Sequence, residues 1–226
     1  MKFFNLLGRL FEYGIARRGI IAKSEIYKYL PKQATVIEAG AHKGYDTIEL
    51  ARHFPDGKIF AFEPVPALFE ELNYNTRSFE NIQLFKFALS DRSGKAKMFI
   101  SSGASTGSSS LLPPKDHLVD HPDVLFKEEI TVDCITIDEW AEKEHLEKID
   151  FLWLDLQGHE LNVLKAATNI LKTVIVIYTE INLKEVYEGA PLYHELRQWL
   201  ECQGFKTQKE AIPWKDGGNV LFIRKQ

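Results

Sequence analysis

Two acidic side chains and a pair of glycines form the part of this sequence best suited to bind a ligand. An apolar run ends at Glu38, Gly40 and Gly44 follow, and a second apolar run ends at Glu63 roughly 20 residues further on. Glycine lets the backbone approach a ligand closely, and a carboxylate after the next strand accepts hydrogen bonds from ribose hydroxyls. This spacing is typical of an open α/β sheet that binds a nucleoside-containing cofactor.

The residues within the turn indicate which cofactor it is. A dinucleotide site needs G-x-G-x-x-G, because its middle glycine makes room for a pyrophosphate. His42 stands at that middle position, and Glu38 would bring a negative charge close to the phosphates. S-adenosylmethionine (SAM) has no phosphate and carries a sulfonium and an ammonium, so carboxylates suit it. The pattern favours SAM. An NAD-dependent oxidoreductase and a non-catalytic SAM-binding module are the alternatives.

Length and composition are those of a single α/β domain. The chain has 226 residues, of which 45% are hydrophobic, and its formal net charge is −4. It therefore supplies a full core but no large basic surface, so nucleic acid is not expected as the principal substrate. No apolar stretch reaches the roughly 18 residues of a membrane span. Cys134 and Cys202 form no C-x-x-C pair, which favours buried free thiols and a cytoplasmic protein.

Apolar runs that alternate with helical patterns predict βαβ units and a mostly parallel sheet with helices on both faces. We predict strands over 35–39, 58–62, 82–87, 151–154 and 174–178, and helices over 44–53, 66–77, 160–171 and 192–203. The last two strands, 205–209 and 219–223, are separated by a turn instead of a helix, which predicts an antiparallel hairpin. A dehydrogenase domain would more usually continue with crossovers, so the hairpin favours a methyltransferase.

Two segments fall outside this alternation. Residues 101–127 form an insertion, rich in Ser and Thr at its start, between two extra strands predicted at 95–100 and 130–137. It is either a flexible surface loop or a substrate-facing lid. Residues 1–30 carry apolar side chains at helical spacing with basic residues among them. We favour a helix that packs on the domain, 31–226, or covers its cleft, over one that contacts a membrane surface.

Five short motifs together carry a family resemblance. They are EAGAHKG at 38–44, FEP at 62–64, ALSD at 88–91, SSSL at 108–111 and LDLQGHE at 154–160. In order and spacing they resemble the FkbM-type SAM-dependent methyltransferases over roughly residues 35–224. The resemblance implies a Rossmann-like, seven-stranded methyltransferase sheet and O-methylation of a hydroxyl on a sugar or natural-product-like small molecule. Gln157 departs from the family, which more often has an acid there.

Chemical reasoning assigns roles to the cofactor-binding candidates. Glu38 and the turn at 40–44 would hold the methionine end of SAM, whose ammonium needs carboxylate or carbonyl partners. Glu63 would accept both ribose hydroxyls, and residues 89–91 would hold the adenine. The cofactor-binding residues that we predict are Glu38, Gly40, His42, Gly44, Glu63, Pro64, Leu89, Asp91 and Asp155.

Methyl transfer to a hydroxyl requires alignment of the two reactants and removal of one proton. Asp155 follows a strand at the ligand-binding edge of the sheet and is the first candidate for this work. Glu180 ends the next predicted strand and ranks second, and His159, with a reference pKa of about 6.5, ranks third. A Mg²⁺ ion held by Asp155, Glu160 and Glu180 is an alternative that their spacing favours less.

Overall fold

The computed structural model of this protein describes residues 21–225. Its strands are β1 (Thr35–Ala39), β2 (Lys58–Phe62), β3 (Ile82–Phe85), β4 (Ala88–Leu89), β5 (Gly94–Gly103), β6 (Val124–Ile135), β7 (Phe151–Leu154), β8 (Val176–Asn182), β9 (Phe205–Ala211) and β10 (Gly217–Arg224). Its α-helices are α1 (Lys23–Tyr27), α2 (Tyr45–His53), α3 (Pro66–Thr76), α4 (His117–Asp120), α5 (Ile137–Lys143), α6 (Glu160–Ala166) and α7 (Tyr193–Cys202), and a 3₁₀ helix spans Ile170–Thr173.

Seven of the strands form one sheet in the order β3-β2-β1-β7-β8-β10-β9. The first five lie parallel to one another, and Val36 of β1 is paired with Ile59 of β2 on one side and with Phe151 of β7 on the other. β10 runs antiparallel to both β8 and β9. The predicted fold is confirmed: a mostly parallel, seven-stranded α/β sheet that ends in an antiparallel hairpin.

Apolar side chains cover both faces of the central strands, which explains why these strands are uninterrupted apolar runs in the sequence. On one face, Ile37 and Leu152 pack in a cluster that includes Trp140 of α5. On the other face, Val36 packs in a cluster with Phe54, which follows α2. Because both faces are buried, the ends of the strands are where this sheet can present polar groups to a ligand.

One strand differs from its prediction in a way that affects the site. The strand predicted over 174–178 begins at Val176 and continues to Asn182, because β10 pairs with it over that whole length. Glu180 therefore lies within β8 and not at its end. The hydrophobic pattern alone did not reveal this extension, since the added residues include polar ones.

Two helices also differ from the sequence prediction. The strand predicted over 130–137 ends earlier, and α5 begins after Thr136, whose side-chain oxygen accepts a hydrogen bond from the Glu139 backbone N–H at 3.1 Å. This is the N-cap arrangement that Thr favours. The helix predicted over 160–171 ends at Ala166, and the 3₁₀ helix follows it.

The insertion grows out of a second, smaller sheet with the order β4-β6-β5. The two extra strands that we predicted are present and pair antiparallel with each other, with Met98 of β5 opposite Ile130 of β6. Residues 104–123, including α4, connect them. The short strand β4 pairs parallel with β6 and so fixes this sheet to the edge of the large one.

The first twenty residues of the predicted helical segment at 1–30 lie outside the described residues. In the described part, α1 packs against the sheet: Ile21 and Ile26 are buried, and the ring of Tyr27 stacks on that of His53 at 4.0 Å. No helix between residues 21 and 225 has both the length and the apolar character needed to cross a membrane.

Both cysteines are free thiols, as predicted, but their burial differs. Cys134 on β6 is buried, whereas Cys202 in the last turn of α7 is exposed. The prediction of buried thiols is therefore wrong for Cys202, which lies on the solvent side of an amphipathic helix.

Candidate functional site

A cavity of about 250 Å³, called the first cavity here, opens at the carboxyl ends of β1, β2 and β7. Most of the predicted site residues line it: Glu38, Gly40, His42, Glu63, Pro64, Leu89, Asp155 and His159. Gly44 and Asp91 are not among its lining residues. Glu180 lines a neighbouring second cavity of about 340 Å³. The structure thus brings the residues predicted to bind the cofactor together around one space, apart from Gly44 and Asp91.

The glycine turn after β1 folds tightly against the neighbouring strands. Gly40 and Gly44 have φ angles of +84° and +82°, a region that residues with a side chain rarely adopt. A Cβ atom at Gly40 would lie 2.1 Å from the carbonyl oxygen of Asp155, so only glycine fits there. The backbone N–H of Gly40 donates to the Phe62 carbonyl at 3.1 Å, and α2 starts at Tyr45 directly after the turn.

Glu38 is a buried carboxyl group, one oxygen of which lacks a hydrogen bond. It is 2% exposed, and its Oε2 atom has no partner among residues 21–225. Burial raises the pKa of Glu38 to about 8. A charged group in such a place is costly unless a counter-charge pairs with it. Because Glu38 also lines the first cavity, a cationic group bound there would satisfy it.

Removal of the Glu38 charge gives a first testable prediction. We expect Glu38→Gln to stabilise the ligand-free protein at pH 8 by about 2–4 kcal/mol. The pKa of Glu38 is about 8 in the folded state against 4.5 for an ordinary glutamate. As pH rises between these values, the unfolded chain loses its proton first, so the folded wild type loses stability. Glutamine does not titrate and avoids this loss.

Urea unfolding of both proteins at several pH values measures the effect. The difference between variant and wild type should shrink as the pH falls toward 4.5, where both states of the wild type become protonated. Glu201→Gln, which alters an exposed glutamate on α7, is the matched control and should show little change. A Glu38→Gln protein less stable than wild type at pH 8 would contradict the prediction.

Glu63 is held in one orientation by the backbone around it. It is 4% exposed, its Oε1 accepts the Val65 N–H at 2.8 Å, and its Oε2 accepts the His42 N–H at 2.9 Å. Burial nevertheless raises its pKa to about 7. Each carboxylate oxygen has a second lone pair, so Glu63 can accept two further hydrogen bonds from a ligand in the first cavity.

Asp155 and Glu180 are joined by the amide of Gln157. The Gln157 Nε2 lies 2.7 Å from Asp155 Oδ1 and 2.5 Å from Glu180 Oε2, and Tyr187 donates its hydroxyl to Gln157 Oε1 at 2.8 Å. Limited hydration inside the cleft raises the pKa of Asp155. Burial and then the charge of Asp155 raise that of Glu180 well above its usual value. Both shifts favour a state in which the pair keeps a proton that an ordinary pair of carboxylates would have lost.

Sequence reasoning missed the role of Gln157 and Tyr187 in this arrangement. From the sequence, Gln157 was a departure from the acid expected at its position and a residue placed to meet substrate, but the structure shows that its amide spans the two carboxyl groups. It has a positive φ of 52°, and Gly158 follows it at 96°. The sequence Gln157-Gly158 directly after β7 could have indicated this arrangement, because glycine there predicts a turn that changes the direction of the neighbouring side chains.

His159 is held by neighbours on a different wall of the first cavity. It is 7% exposed, and its Nε2 lies 3.2 Å from the Ser90 hydroxyl and 3.7 Å from Asp91. Its Nδ1 lies 3.2 Å from the Asn162 side-chain amide. Burial lowers the pKa of His159, so the neutral ring is favoured. Both ring nitrogens thus have partners away from Glu180.

Glu160 supports the turn after β7. Its Oε1 accepts the backbone N–H groups of Leu156 at 2.8 Å and Gly158 at 3.3 Å. Within residues 21–225, no three His, Cys, Asp or Glu side chains are grouped so that they could hold a metal ion.

The serine-rich insertion contributes a wall to the first cavity. Thr106, Gly107, Ser109 and Leu111 line it, and Thr106 Oγ1 lies 2.8 Å from His42 Nε2. The segment is tied down on its other side as well, because the Ser110 hydroxyl donates to the Gln157 carbonyl at 2.8 Å. The insertion therefore forms part of the wall of the first cavity.

Comparisons with known proteins bear on this arrangement. The family model of the methyltransferase FkbM domain matches residues 38–207. The 2-O-methyltransferase NoeI of Sinorhizobium fredii is 31% identical over 159 residues, 68% of this chain and 65% of NoeI. The hexuronic acid methyltransferase AglP of Haloferax volcanii is 30% identical over 125 residues, 55% of this chain and 47% of AglP. The matched region thus spans less than two thirds of either relative.

A solved structure shares the fold. Fibrillarin from Aeropyrum pernix, in complex with natively bound SAM, superposes with a TM-score of 0.52 at 15% identity. The superposition covers 92% of this chain and 72% of fibrillarin. At this identity the likeness concerns the fold alone.

Proposed function

Because this chain belongs to the FkbM methyltransferase family, we propose that it is a SAM-dependent O-methyltransferase acting on a hydroxyl of a sugar or a related small molecule. The observation that carries the proposal is the first cavity, in which Glu38 and Glu63 present two buried carboxyl groups from adjacent strand ends. The names of NoeI and AglP, a 2-O-methyltransferase and a hexuronic acid methyltransferase, support a hydroxylated carbohydrate as acceptor.

The residues of the first cavity fit SAM. The unpaired Oε2 of Glu38 suits the ammonium group, and the N-terminus of α2 beside the glycine turn suits the carboxylate. The fixed carboxylate of Glu63 suits the two ribose hydroxyls, and buried Leu89 offers an apolar wall for the adenine. When bound, SAM supplies a methyl group that its positively charged sulfur has already activated.

We assign proton removal to the pair of Asp155 and Glu180. Asp155 lines the first cavity and Glu180 the second, so the two carboxyl groups lie where a donor and an acceptor would meet. The ionised member of the pair accepts the proton of the acceptor hydroxyl as the oxygen–methyl bond forms, leaving S-adenosylhomocysteine and a methyl ether. A raised pKa makes that carboxylate a stronger base than an ordinary one. Gln157 keeps both groups in position.

The proposal also includes the domain layout of the chain and the location of the protein in the cell. Residues 31–226 would form the methyltransferase domain, against which α1 packs. The insertion at 101–127 would close the acceptor side, as its contacts with His42 and Gln157 suggest. Two free thiols support a cytoplasmic location.

Isothermal calorimetry with SAM and with S-adenosylhomocysteine tests the proposal at the level of the cofactor. We expect saturable binding of one molecule per chain, and methyl transfer from SAM to at least one member of a panel of glycosides. Binding of NAD without binding of SAM would favour the oxidoreductase alternative and overturn the proposal. Binding of SAM without transfer to any hydroxylated acceptor would favour a non-catalytic module.

A further inference from the structure

The second cavity lies beside the first and shares a wall with it. Gly107 of the insertion lines both, and Gln157 joins Asp155 of the first to Glu180 of the second. We infer that the second cavity is the acceptor pocket, and that it takes an uncharged glycosyl ring in preference to a uronate. This inference rests on the proposed function and names the substrate class of the same site.

The location of the second cavity is the first reason to assign it to the acceptor. The second cavity is built from the end of β8, the turn after β7 and the start of β10, all at the edge of the sheet where ligands of such folds bind. Its volume of about 340 Å³ is within the range of small-molecule pockets. A hydroxyl bound in it would meet Glu180 on the side that faces Asp155.

The walls of the second cavity suit a sugar ring. Trp214, in the turn between β9 and β10, lines it and is 36% exposed, so part of its ring surface is free. Flat aromatic surfaces pack against the apolar face of a pyranose, while polar groups around them bind the hydroxyls. Tyr187 stands on another wall, with its hydroxyl bonded to Gln157.

Polar groups in the second cavity are left for a ligand. His117 of α4 lines it and is 6% exposed, and its Nδ1 atom has no hydrogen-bond partner within the described residues. A buried polar atom without a partner is costly, and an acceptor hydroxyl would satisfy it. Asn182 at the end of β8 adds an amide that can both donate and accept.

The charges in the second cavity decide between sugar classes. Glu180 and Asp216 line it, and no Lys or Arg does so in the described part of the chain. Asp216 is paired with His121 at 2.7 Å, and Lys184, which does not line the cavity, is paired with Asp120. The histidines there are poor partners for a uronate carboxylate, because His121 is already paired with Asp216 and burial lowers the pKa of His117. A uronate would also face like charge. An uncharged glycosyl ring would bring neither a poorly paired carboxylate nor repulsion between like charges.

A matched pair of probes tests the inference directly. Methyl β-D-glucopyranoside and methyl β-D-glucopyranosiduronate differ only at C6, which is a hydroxymethyl group in the first and a carboxylate in the second. Their binding to the protein saturated with S-adenosylhomocysteine can be measured by saturation-transfer NMR. We expect the uronide to bind at least roughly tenfold more weakly than the neutral glycoside. Equal or stronger binding of the uronide, or no binding of the neutral glycoside, would overturn the inference.

Three variants sharpen the test. Trp214→Ala should weaken binding of the neutral glycoside roughly tenfold, whereas Tyr74→Ala, which removes an exposed aromatic ring on α3 outside both cavities, should not. Asp216→Asn removes the carboxylate that pairs with His121, so it should narrow the difference in affinity between the two probes. Unchanged glycoside binding in Trp214→Ala would contradict the assignment of the pocket.

Binding of S-adenosylhomocysteine separates this inference from the proposed function. If calorimetry shows no binding of S-adenosylhomocysteine to the wild type, the proposed function itself fails. If S-adenosylhomocysteine binds but the probes do not behave as stated, the proposed function stands and the inference about the second cavity is wrong.

Discussion

Replacement of Asp155 by asparagine is expected to lower kcat for methyl transfer by about 10²- to 10⁴-fold, the contribution typical of a positioned base. Asparagine keeps the size of the side chain and its contact with Gln157 but cannot accept a proton. Affinity for S-adenosylhomocysteine should change much less, because in the proposed site Glu38 and Glu63 would supply the main polar contacts to it. Initial-rate kinetics and calorimetry on the same preparation measure both quantities.

The linkage of Asp155 to Glu180 makes this prediction more specific. Since Gln157 holds the two carboxyl groups and each affects the pKa of the other, they should act as a unit. Glu180→Gln should therefore lower kcat by a similar factor, and the double variant should be scarcely worse than either single one. Glu201→Gln is the control. Full activity in Asp155→Asn would remove this residue from the reaction.

Replacement of Glu63 by alanine is expected to weaken SAM binding by roughly 100-fold, equivalent to about 3 kcal/mol. Two hydroxyl groups of the ribose would lose a charged acceptor, and each such hydrogen bond contributes a net of about 1.5–3 kcal/mol, so about 3 kcal/mol is the low end for two bonds. Calorimetric titration with SAM gives the affinity. An unchanged affinity would place Glu63 outside the binding site.

A structural effect of this substitution has to be separated from the loss of ligand contacts. Glu63 accepts the N–H groups of His42 and Val65, so alanine also removes two backbone interactions. Glu63→Gln is the companion variant, because it keeps the volume and one acceptor oxygen. Thermal unfolding of both variants without ligand shows how much stability is lost. A loss of affinity in Glu63→Gln without a loss of stability would assign the effect to the ribose contact.

The cofactor side of the site could be predicted from the sequence because it is built from local segments. β1, β2 and β7 have the predicted bounds, since each is an apolar run closed by a turn or an acid. Once these strands lie parallel, Glu38, Glu63 and Asp155 must meet at one edge of the sheet. A short motif and elementary topology are enough for that conclusion.

The acceptor side could not be predicted in the same way. The second cavity combines His117 of the insertion, Glu180 of β8 and Trp214 of the final turn, which are far apart in the chain. The position of Glu180 within β8 depends on the pairing with β10, and the bridging role of Gln157 depends on where Glu180 lies. These relations arise from tertiary structure and leave no periodic pattern in the sequence.

The contact between Gly40 and the Asp155 carbonyl has a consequence for how precisely the two halves of the site are aligned. Since a Cβ atom at Gly40 would lie 2.1 Å from that carbonyl, the turn that would grip the donor rests directly on the strand end that would activate the acceptor. We therefore expect the two to shift together during thermal fluctuations. Any larger residue at position 40 would push the turn away from the Asp155 carbonyl. Affinity for SAM and the rate of methyl transfer would then decline together.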